Sequence, residues 1–490
     1  MDPGAAGPGD DSPVNGRSEP FGHHGGSPPR GLAHVPHSSI ERGRYGRMFR
    51  TLRPFLPHDS TLAKLANSMG PFPQPMPAAD AGAPVPGALQ PGENPDIPAG
   101  YTYLGQFVDH DITFDPTSVL ARRNDPDALV DYRTPRFDLD SLYGSGPADQ
   151  PYLYDQDDPC KLLVGHNLGP DEEPVDLPRN PQGRALLGDP RNDVHFIMSQ
   201  LTLAFVLFHN AVVDLLRSRA FPEEGLFAEA QRIARWHYQW VVVEDYLARV
   251  VGQDVLRRVL VVEGPAHRRR ADLAFFVWKN DPFMPVEFSA AAYRFGHSQV
   301  RSTYFLNPDV GPKHILLPFV TPDPLEHLGG FRPLPKGWTI SWDLYFTVGG
   351  SSPQLSRRID TKMVGPFDKL PPAVDHDQRS MALLDLLRGK ALGLPAGEDV
   401  AAAMGTTRKG LGLKGKTPLW YYILREAEVD SGGLRLGPTG ATIVAEVLVG
   451  LLAGDPASFL RVAPGWKPEL PSETPGQFGI VDLLRFAGVA

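Results

Sequence analysis

The sequence has few of the features that mark disulfide-rich, membrane or nucleic-acid-binding proteins. Cys160 is the only cysteine among 490 residues, so internal disulfides and metal sites built from several thiolates are excluded. No uninterrupted run of roughly eighteen apolar residues occurs, and the longest candidate, 443–454, contains Glu446, so we predict no transmembrane segment. The net charge is −9 and the basic residues are scattered, which argues against a nucleic-acid surface. Signature motifs of zinc peptidases, serine hydrolases and P-loop nucleotidases are also lacking.

The N-terminal segment is rich in glycine, proline and aspartate and has no apolar core of signal-peptide length. Such a composition cannot bury enough apolar surface to fold, so we expect residues 1–38 to be a disordered tail. From about Ser39 onward the composition becomes that of a folded protein. The cytoplasm is the simplest compartment, and export without a recognisable signal peptide is the alternative.

Helical periodicity dominates the rest of the chain, and strand-like alternation is rare. Asp189 and Pro190 predict the start of a long buried helix, as N-cap and first helical residue. Long irregular connections are expected at 70–100 and 150–188. The pattern indicates a mainly α fold with long irregular loops and little strand. Further helices are predicted at 226–251, 286–303, 379–403, 416–427 and 438–452.

The stretch 101–118, YTYLGQFVDHDITFDPTS, concentrates polar chemistry in a few residues. On a helix, Gln106, Asp109 and His110 share one face, and Asp111 lies about 100° further round. One short helix would thus present an acid–base histidine to one neighbour and a carboxylate to another. The alternative is a solvated turn, because histidine and aspartate are common on surfaces.

Two further residues on predicted helices, Arg191 and His297, are candidates for a chemical role. Arg191 falls in the first turn of its predicted helix, where a cation is unfavourable to the helix dipole and an anionic partner is expected. His297 shares a helical face with Tyr293, Arg294 and Arg301 in 286–303. The alternative for His297 is a buried histidine that is simply hydrogen-bonded in the core.

The segment 131–144, DYRTPRFDLDSLYG, places side-chain oxygens of Thr134, Asp138, Asp140 and Ser141 at close spacing. Calcium prefers six to eight oxygen ligands supplied in this way by side chains and backbone carbonyls. The segment is not an EF-hand, because it lacks the central glycine and the closing glutamate. An ordinary turn rich in aspartate is the alternative.

Together these residues form the set that peroxide chemistry at haem requires. One histidine holds the iron, and a second transfers a proton between the two peroxide oxygens. A fixed cation stabilises the charge that develops as the O–O bond breaks. No flavin or nicotinamide motif competes with this interpretation.

The sequence resembles the animal-type haem peroxidase family, also called the peroxidase–cyclooxygenase superfamily, and is most similar to its bacterial members. The resemblance implies a single large helical haem-peroxidase domain over 39–490. It is carried by motifs in the family's order: GQFVDHD at 105–111, TPRFDLDSLYG at 134–144, GDPRN at 188–192, FHN at 208–210 and YRFGH at 293–297. Two further segments, 235–247 and 417–429, resemble the bacterial branch.

The resemblance implies a role for each matching residue around haem b. His110 corresponds to the distal acid–base histidine, Gln106 to the residue that helps to hold a distal water or halide, and Arg191 to the distal arginine. His297 corresponds to the proximal iron ligand, and Arg294 to an arginine that meets a haem propionate. The family's asparagine that hydrogen-bonds to the proximal histidine aligns with Asp385. A carboxylate there would make the proximal imidazole more basic. A capping or solvated aspartate is the alternative.

The resemblance also implies a calcium site and a test of covalent haem attachment. Asp111, Thr134, the carbonyl of Arg136, Asp138 and Asp140 correspond to calcium ligands. Asp109 matches the aspartate that forms a haem ester in mammalian members. The glutamate of their second ester falls at Val194, and the methionine of a sulfonium link falls at His195. At most one ester is therefore expected.

The implied function is a haem peroxidase that reduces hydrogen peroxide, in oxidative-stress chemistry, and oxidises a small donor such as a phenol, iodide or thiocyanate. Without a sulfonium link, chloride oxidation is not expected. The alternative is a haem-dependent fatty-acid dioxygenase of the cyclooxygenase type. In those enzymes the radical tyrosine lies three residues before the proximal histidine, where this chain has Arg294 and places Tyr293 one residue earlier. That spacing favours the peroxidase.

Overall fold

A computed structural model describes residues 45–70, 89–113, 135–166, 174–314, 323–368 and 380–490. The predicted disordered tail and Thr134 lie outside these ranges. The mainly helical fold with little strand is confirmed. The helices are α1 (Asp59–Ser68), α2 (Gly100–Ile112), α3 (Asp140–Tyr143), α4 (Phe196–Ser218), α5 (Leu226–Trp240), α6 (Ala248–Val251), α7 (Gln253–Val259), α8 (Val286–Ser289), α9 (Gly296–Gln299), α10 (Met381–Ala391), α11 (Gly397–Met404), α12 (Leu419–Ser431), α13 (Pro438–Gly454), α14 (Phe459–Val462) and α15 (Ile480–Phe486).

The strands are short and pair only two at a time within the described ranges. One pair is parallel and three are antiparallel. The parallel pair joins β1 (Tyr45–Gly46) to β5 (Met284–Pro285), and the antiparallel pairs join β2 (Glu93–Pro98) to β8 (Leu355–Arg357), β3 (Leu260–Glu263) to β4 (Arg268–Ala271), and β6 (Thr303–Tyr304) to β7 (Lys313–His314).

Helices α4 and α13 form the centre of the hydrophobic core, since 16 of the 23 residues of α4 and 14 of the 17 residues of α13 are buried. By length and composition α4 would suffice to cross a membrane, and 83% of its most apolar window is buried inside the protein. Glu446 interrupts the apolar sequence of α13 for a structural reason. Its carboxylate accepts hydrogen bonds from the backbone N–H groups of Ala274, Phe275 and Phe276 at 2.7–3.0 Å.

The long helix predicted from Asp189 begins later than expected. Asp189 caps a separate 3-10 turn, Pro190–Asp193, and α4 begins at Phe196 with the His195 side chain as its N-cap. Between them the backbone becomes extended at His195, where Gly330 N–H donates to the Val194 carbonyl (3.0 Å) and Phe196 N–H donates to the Leu328 carbonyl. These hydrogen bonds to a distant segment compete with continued helix, which local sequence cannot reveal.

Two other predicted helices are divided. The segment 286–303 contains α8, a 3-10 turn at Ala292–Phe295 and α9, because Ala291 leaves the helical region and Arg294 Nε takes the carbonyl of Ser289. The segment 379–403 contains α10 and α11, separated at Gly393, which has a φ of +60°. By contrast, 226–251 is continuously helical but includes a π-helical segment, Val241–Leu247.

We predict that His237, a buried residue of α5, makes stability depend on pH. Its Nδ1–H donates to the Ile233 carbonyl (2.8 Å), and its Nε2 accepts from two backbone N–H groups, so the neutral ring is fully used. Burial lowers the pKa of His237 from 6.5 to about 4. The unfolded chain therefore takes up the proton first, and stability falls as the pH drops from 6.5 towards 4.

The variant His237→Gln should be less stable than wild type at pH 7 yet lose about 2 kcal/mol less stability between pH 7 and 4.5. Denaturant unfolding at both pH values measures the difference. An unchanged pH dependence in a folded variant would contradict this account of His237.

Candidate active site

Helix α2 presents two chemically different faces, as its periodicity predicts. Gln106, Asp109 and His110 line a cavity of about 370 Å³. On another side, the carboxylate of Asp111 accepts from Leu139 N–H (3.3 Å) and the Ser141 hydroxyl (3.2 Å) and is fully buried. The described part of the stretch, 101–113, is therefore a largely buried helix and not a solvated turn.

Close packing fixes α2 against its neighbours. A Cβ at Gly105 would lie 2.5 Å from the Tyr246 hydroxyl, so a larger residue would displace that side chain. Tyr246 belongs to the π-helical segment and lines the cavity. Segments of π-helix frequently occur at functional sites, where they turn one side chain out of the regular register.

His110 is held as a neutral base. Because the Asn192 Oδ1 can only accept, the His110 Nδ1–H donates to it, over 2.8 Å, and the Nε2 keeps its lone pair. Burial, and then the positive charge of Arg191, lower the pKa of His110 to about 4. The ring therefore stays uncharged at neutral pH and is able to accept a proton.

Arg191 lines the same cavity but has a partner in the protein. Its guanidinium forms an ion pair with Asp189 (2.9 Å) and donates to the carbonyls of His110 (3.0 Å) and Thr113. The anionic partner expected from the sequence is thus Asp189. The carbonyls lie at the C-terminal end of α2, where a cation complements the helix dipole.

His297 and Arg294 line the cavity together with Tyr293. The Nδ1 of His297 is 2.6 Å from Asp385 Oδ2, and Arg294 Nη1 is 3.6 Å from Asp385 Oδ1. Burial opposes ionisation of Asp385, but the charge of His297 and its hydrogen bond lower the pKa of this carboxyl below its usual value. With Nδ1 engaged, Nε2 is the ring nitrogen that remains for a ligand.

Arg301 does not join this site, although its helical spacing predicts that it shares a face with His297. Its guanidinium is paired with Glu93 and donates to the Leu355 carbonyl (2.9 Å). The division of 286–303 into three pieces places Arg301 outside the helix and next to the β2–β8 pair.

The cavity wall includes polar atoms that lack a protein partner. The Oγ1 of Thr102 and the Nε2 of Gln299 are buried without a hydrogen bond inside the described ranges, and so is the nearby Nδ2 of Asn192. Unsatisfied buried polar atoms are uncommon and call for an explanation such as a bound group. A polar-edged ligand in the cavity would supply one.

Asp109 and Val194 both line the cavity. A carboxylate oxygen of Asp109 accepts weakly from the Thr113 hydroxyl at 3.3 Å. Valine has no group that could form an ester. Asp109 is thus the one residue of this pair that could bond covalently to a group in the cavity.

The sequence assigns no role to Asn192, His195 or Tyr246. The structure places His195 and Tyr246 in the cavity wall and joins Asn192 to His110 by a hydrogen bond. Asn192 was visible as the last residue of GDPRN, beside the candidate Arg191. His195 was recognised only as a substitution. Tyr246 is positioned by the π-helical segment, for which the sequence carries no clear signal.

The predicted calcium loop lies beside α2. Asp138 accepts from Asp140 N–H (3.1 Å), and Leu139 adopts a φ of +57°, which bends the loop towards Asp111. Burial and the neighbouring carboxylates of Asp140, Asp111 and Asp455 raise the pKa of Asp138 well above its usual value. No three ligand side chains are arranged around a metal-sized space in the ranges described, and Thr134 lies outside them.

Comparison with known proteins identifies the family and the fold of this chain. The family model for animal haem peroxidases matches residues 120–396, more than half of the chain and a range that contains Arg191, His297 and Asp385. His110 precedes that range. A peroxidase-like protein from Margaritifera margaritifera is 29% identical over 242 residues, 46% of this chain and 29% of that protein. Heme peroxidase 2 from Caenorhabditis elegans is 22% identical over 329 residues, 52% of this chain and 44% of that protein.

Solved structures share the fold. Peroxidase A from Dictyostelium discoideum superposes with a TM-score of 0.56 at 14% identity, covering 86% of this chain and 89% of that chain. A fatty acid alpha-dioxygenase from Arabidopsis thaliana gives a TM-score of 0.54 at 15% identity, covering 87% of this chain and 75% of that chain. The chain spans less than half the length of the two sequence relatives described. On the extent of the family match, this chain belongs to the animal haem peroxidase family.

Proposed function

We propose that this protein is a haem peroxidase that reduces hydrogen peroxide and oxidises a small donor. The observation that carries the proposal is that two histidines face one cavity, each with its Nδ1 fixed by another side chain. His110 is bound to Asn192 and His297 to Asp385. This leaves the Nε2 atom of each ring for chemistry in the cavity.

The residues around the cavity fit a haem group. His297 would hold the iron, and Asp385 would strengthen it as a ligand by accepting its Nδ1–H. Arg294 lines the cavity and would pair with a propionate. Bound haem supplies the redox chemistry that the side chains lack.

On the opposite side, the chain's own residues handle the proton. A neutral His110 accepts a proton from peroxide through Nε2 and returns it to the departing oxygen. Arg191 adds fixed positive charge to the wall, and Asp189 holds its guanidinium in one orientation. Gln106 offers a further polar contact to a small ligand.

The proposed donors are phenols, iodide and thiocyanate. The residue at the position of the sulfonium-forming methionine is His195, which cannot form that link. We therefore expect little or no chloride oxidation. The cyclooxygenase alternative has less support, because Arg294 occupies the position expected for its radical tyrosine, and the hydroxyl of Tyr293 donates to the Gly105 carbonyl (3.2 Å).

Reconstitution with haem should give a Soret band and peroxide-dependent oxidation of iodide or a phenol. The variant His110→Leu should keep the Soret band and react with peroxide about 10²–10⁴ times more slowly. His297→Ala should lose the iron–imidazole bond and change the spectrum.

Because His110 is protonated only near pH 4, the wild-type rate constant with peroxide should stay level from pH 8 to about 5 and fall below that.

Asp157→Asn, a change at an exposed site, serves as the matched control. It should leave the Soret band, the rate constant with peroxide and the pH dependence of that rate unchanged. Oxygen uptake with linoleate, in the absence of peroxide-dependent donor oxidation, would overturn the proposal in favour of the dioxygenase. A folded protein that takes up no haem would overturn both.

We further propose that Asp109 forms the single haem ester. Its carboxylate lines the cavity and, among the residues that the structure describes, has a single weak hydrogen bond, to Thr113. After turnover with peroxide, haem should remain with wild-type protein through acid–acetone extraction and be released from Asp109→Ala. Release of all haem from the wild type would exclude the ester.

We also propose that Ca²⁺ binds between α2 and the segment 134–140. Support comes from charge repulsion: the carboxylates of Asp140 and Asp111 raise the pKa of Asp138, and a hard dication bound beside them would offset that repulsion. Because Asp111 follows His110 directly, the ion would fix the orientation of α2.

Removal of calcium with a chelator should lower the unfolding temperature and the rate with peroxide together, and added Ca²⁺ should restore both. Asp138→Asn should show the low values without chelator, whereas Asp157→Asn should behave as wild type. Bound calcium absent from elemental analysis of the purified, untreated protein would refute the site.

A further inference from the structure

His195 is a third histidine in the cavity, beside His110 and His297, and its ring is rigidly held. Its Nδ1 accepts from Met198 N–H (3.2 Å) as the N-cap of α4. The ring lies edge-on to Tyr103, with centroids 5.1 Å apart, and the residue is only 3% exposed. On the backbone, His195 bridges to Gly329, which fixes the position of the Cα.

The cap determines the tautomer of this ring. Because Nδ1 accepts the Met198 N–H, the proton of the neutral ring is on Nε2, which donates to Gln106 Oε1 at 3.1 Å. Burial, and then the neighbouring His110, lower the pKa of His195 to about 3. The same neutral tautomer therefore persists across the pH range in which proteins normally work.

This donor decides which end of the Gln106 amide faces the cavity. An unrestrained amide could present either its oxygen or its NH₂ group to a ligand. With the oxygen bound to His195, the NH₂ group is left, and it has no protein acceptor within the described ranges. The cavity then combines a hydrogen-bond donor at Gln106 with a proton acceptor at His110.

We propose that His195 is a positioning residue that locks Gln106 as a hydrogen-bond donor, so that the cavity selects small protic acids. Such an acid, HX, breaks its H–X bond on binding: the proton goes to His110 Nε2, and the anion accepts from Gln106. Hydrogen peroxide and hydrogen fluoride belong to this class. The proposal rests on the proposed function, because haem held by His297 would supply the iron that binds the anion.

The variant His195→Asn separates the two contacts of His195. Asparagine is a strong N-cap, so it keeps an oxygen for Met198 N–H, but its side chain is too short to reach Gln106. Gln106→Leu removes the donor itself. His209→Asn is the matched control, because His209 is also fully buried but contacts Tyr143 and Cys160 away from the cavity.

Fluoride affinity of the ferric, haem-loaded protein, measured by optical titration, is the readout. Loss of one neutral hydrogen bond should weaken fluoride binding about fivefold in His195→Asn and about equally or more in Gln106→Leu. The double variant should match Gln106→Leu, because His195 acts only through Gln106. His209→Asn should bind fluoride as wild type does. Unchanged affinity in His195→Asn, or additive losses in the double variant, would overturn the proposal.

A second measurement needs no haem and so distinguishes this proposal from the proposed function. In protein labelled with ¹⁵N-histidine, the signals lost in His195→Asn should be those of a neutral ring protonated at Nε2, and they should shift in Gln106→Leu. A ring protonated at Nδ1, or signals that Gln106→Leu leaves unmoved, would refute the contact. Absence of a Soret band with the expected ¹⁵N result would refute the haem function alone.

Discussion

The contact between the C-terminal half of α2 and the segment 189–195 fixes the polar side chains on one side of the cavity. Asn192 binds His110, Arg191 binds the carbonyls at the end of α2, and His195 binds Gln106. Each of these residues would be costly to bury alone, because a buried polar group without a partner loses its hydration. Their mutual hydrogen bonds fix both the positions and the protonation states of the cavity's polar groups.

That segment is itself anchored by a buried ion-pair network. Arg179 makes paired hydrogen bonds to Asp193 (both 2.8 Å) and to Asp176 (2.8 and 3.1 Å), and Asp176 also accepts from Leu334 N–H. Breaking one partner of such a network leaves an uncompensated buried charge, which is strongly destabilising. The network therefore makes the 189–195 segment rigid although it is neither a long helix nor a strand.

The opposite wall of the cavity is built from short helical pieces and one carboxylate. Short helical pieces turn His297 and Arg294 towards the cavity, and one carboxylate, Asp385, contacts both. A single straight helix over 286–303 would have carried Arg301 to the same side. The breaks in the helix instead place Arg301 beside Glu93. This wall of the cavity therefore carries the Nε2 atom of His297 next to Arg294.

Much of the site could be predicted from local sequence. Helical periodicity alone put Gln106, Asp109 and His110 on one face of α2 and Asp111 on another, because side-chain direction on a helix is fixed by spacing. The buried helices α4, α5 and α13 were equally visible in their apolar patterns, apart from their ends. The order of motifs identified the family and pointed to His297 and Asp385, which lie far apart in the chain.

The tertiary structure decided what depends on contacts between distant residues. Local sequence favoured a helix from Asp189, but hydrogen bonds to 328–330 accompany an extended backbone at His195, and α4 begins at Phe196. With α4 starting there, the His195 side chain caps the helix and contacts Gln106. Periodicity thus determined which residues of α2 face the cavity, whereas long-range hydrogen bonds determined which atoms of those residues remain available there. The physical reason is that the ring tautomer and the amide orientation on α2 are each set by a hydrogen-bond partner that lies far away in the sequence.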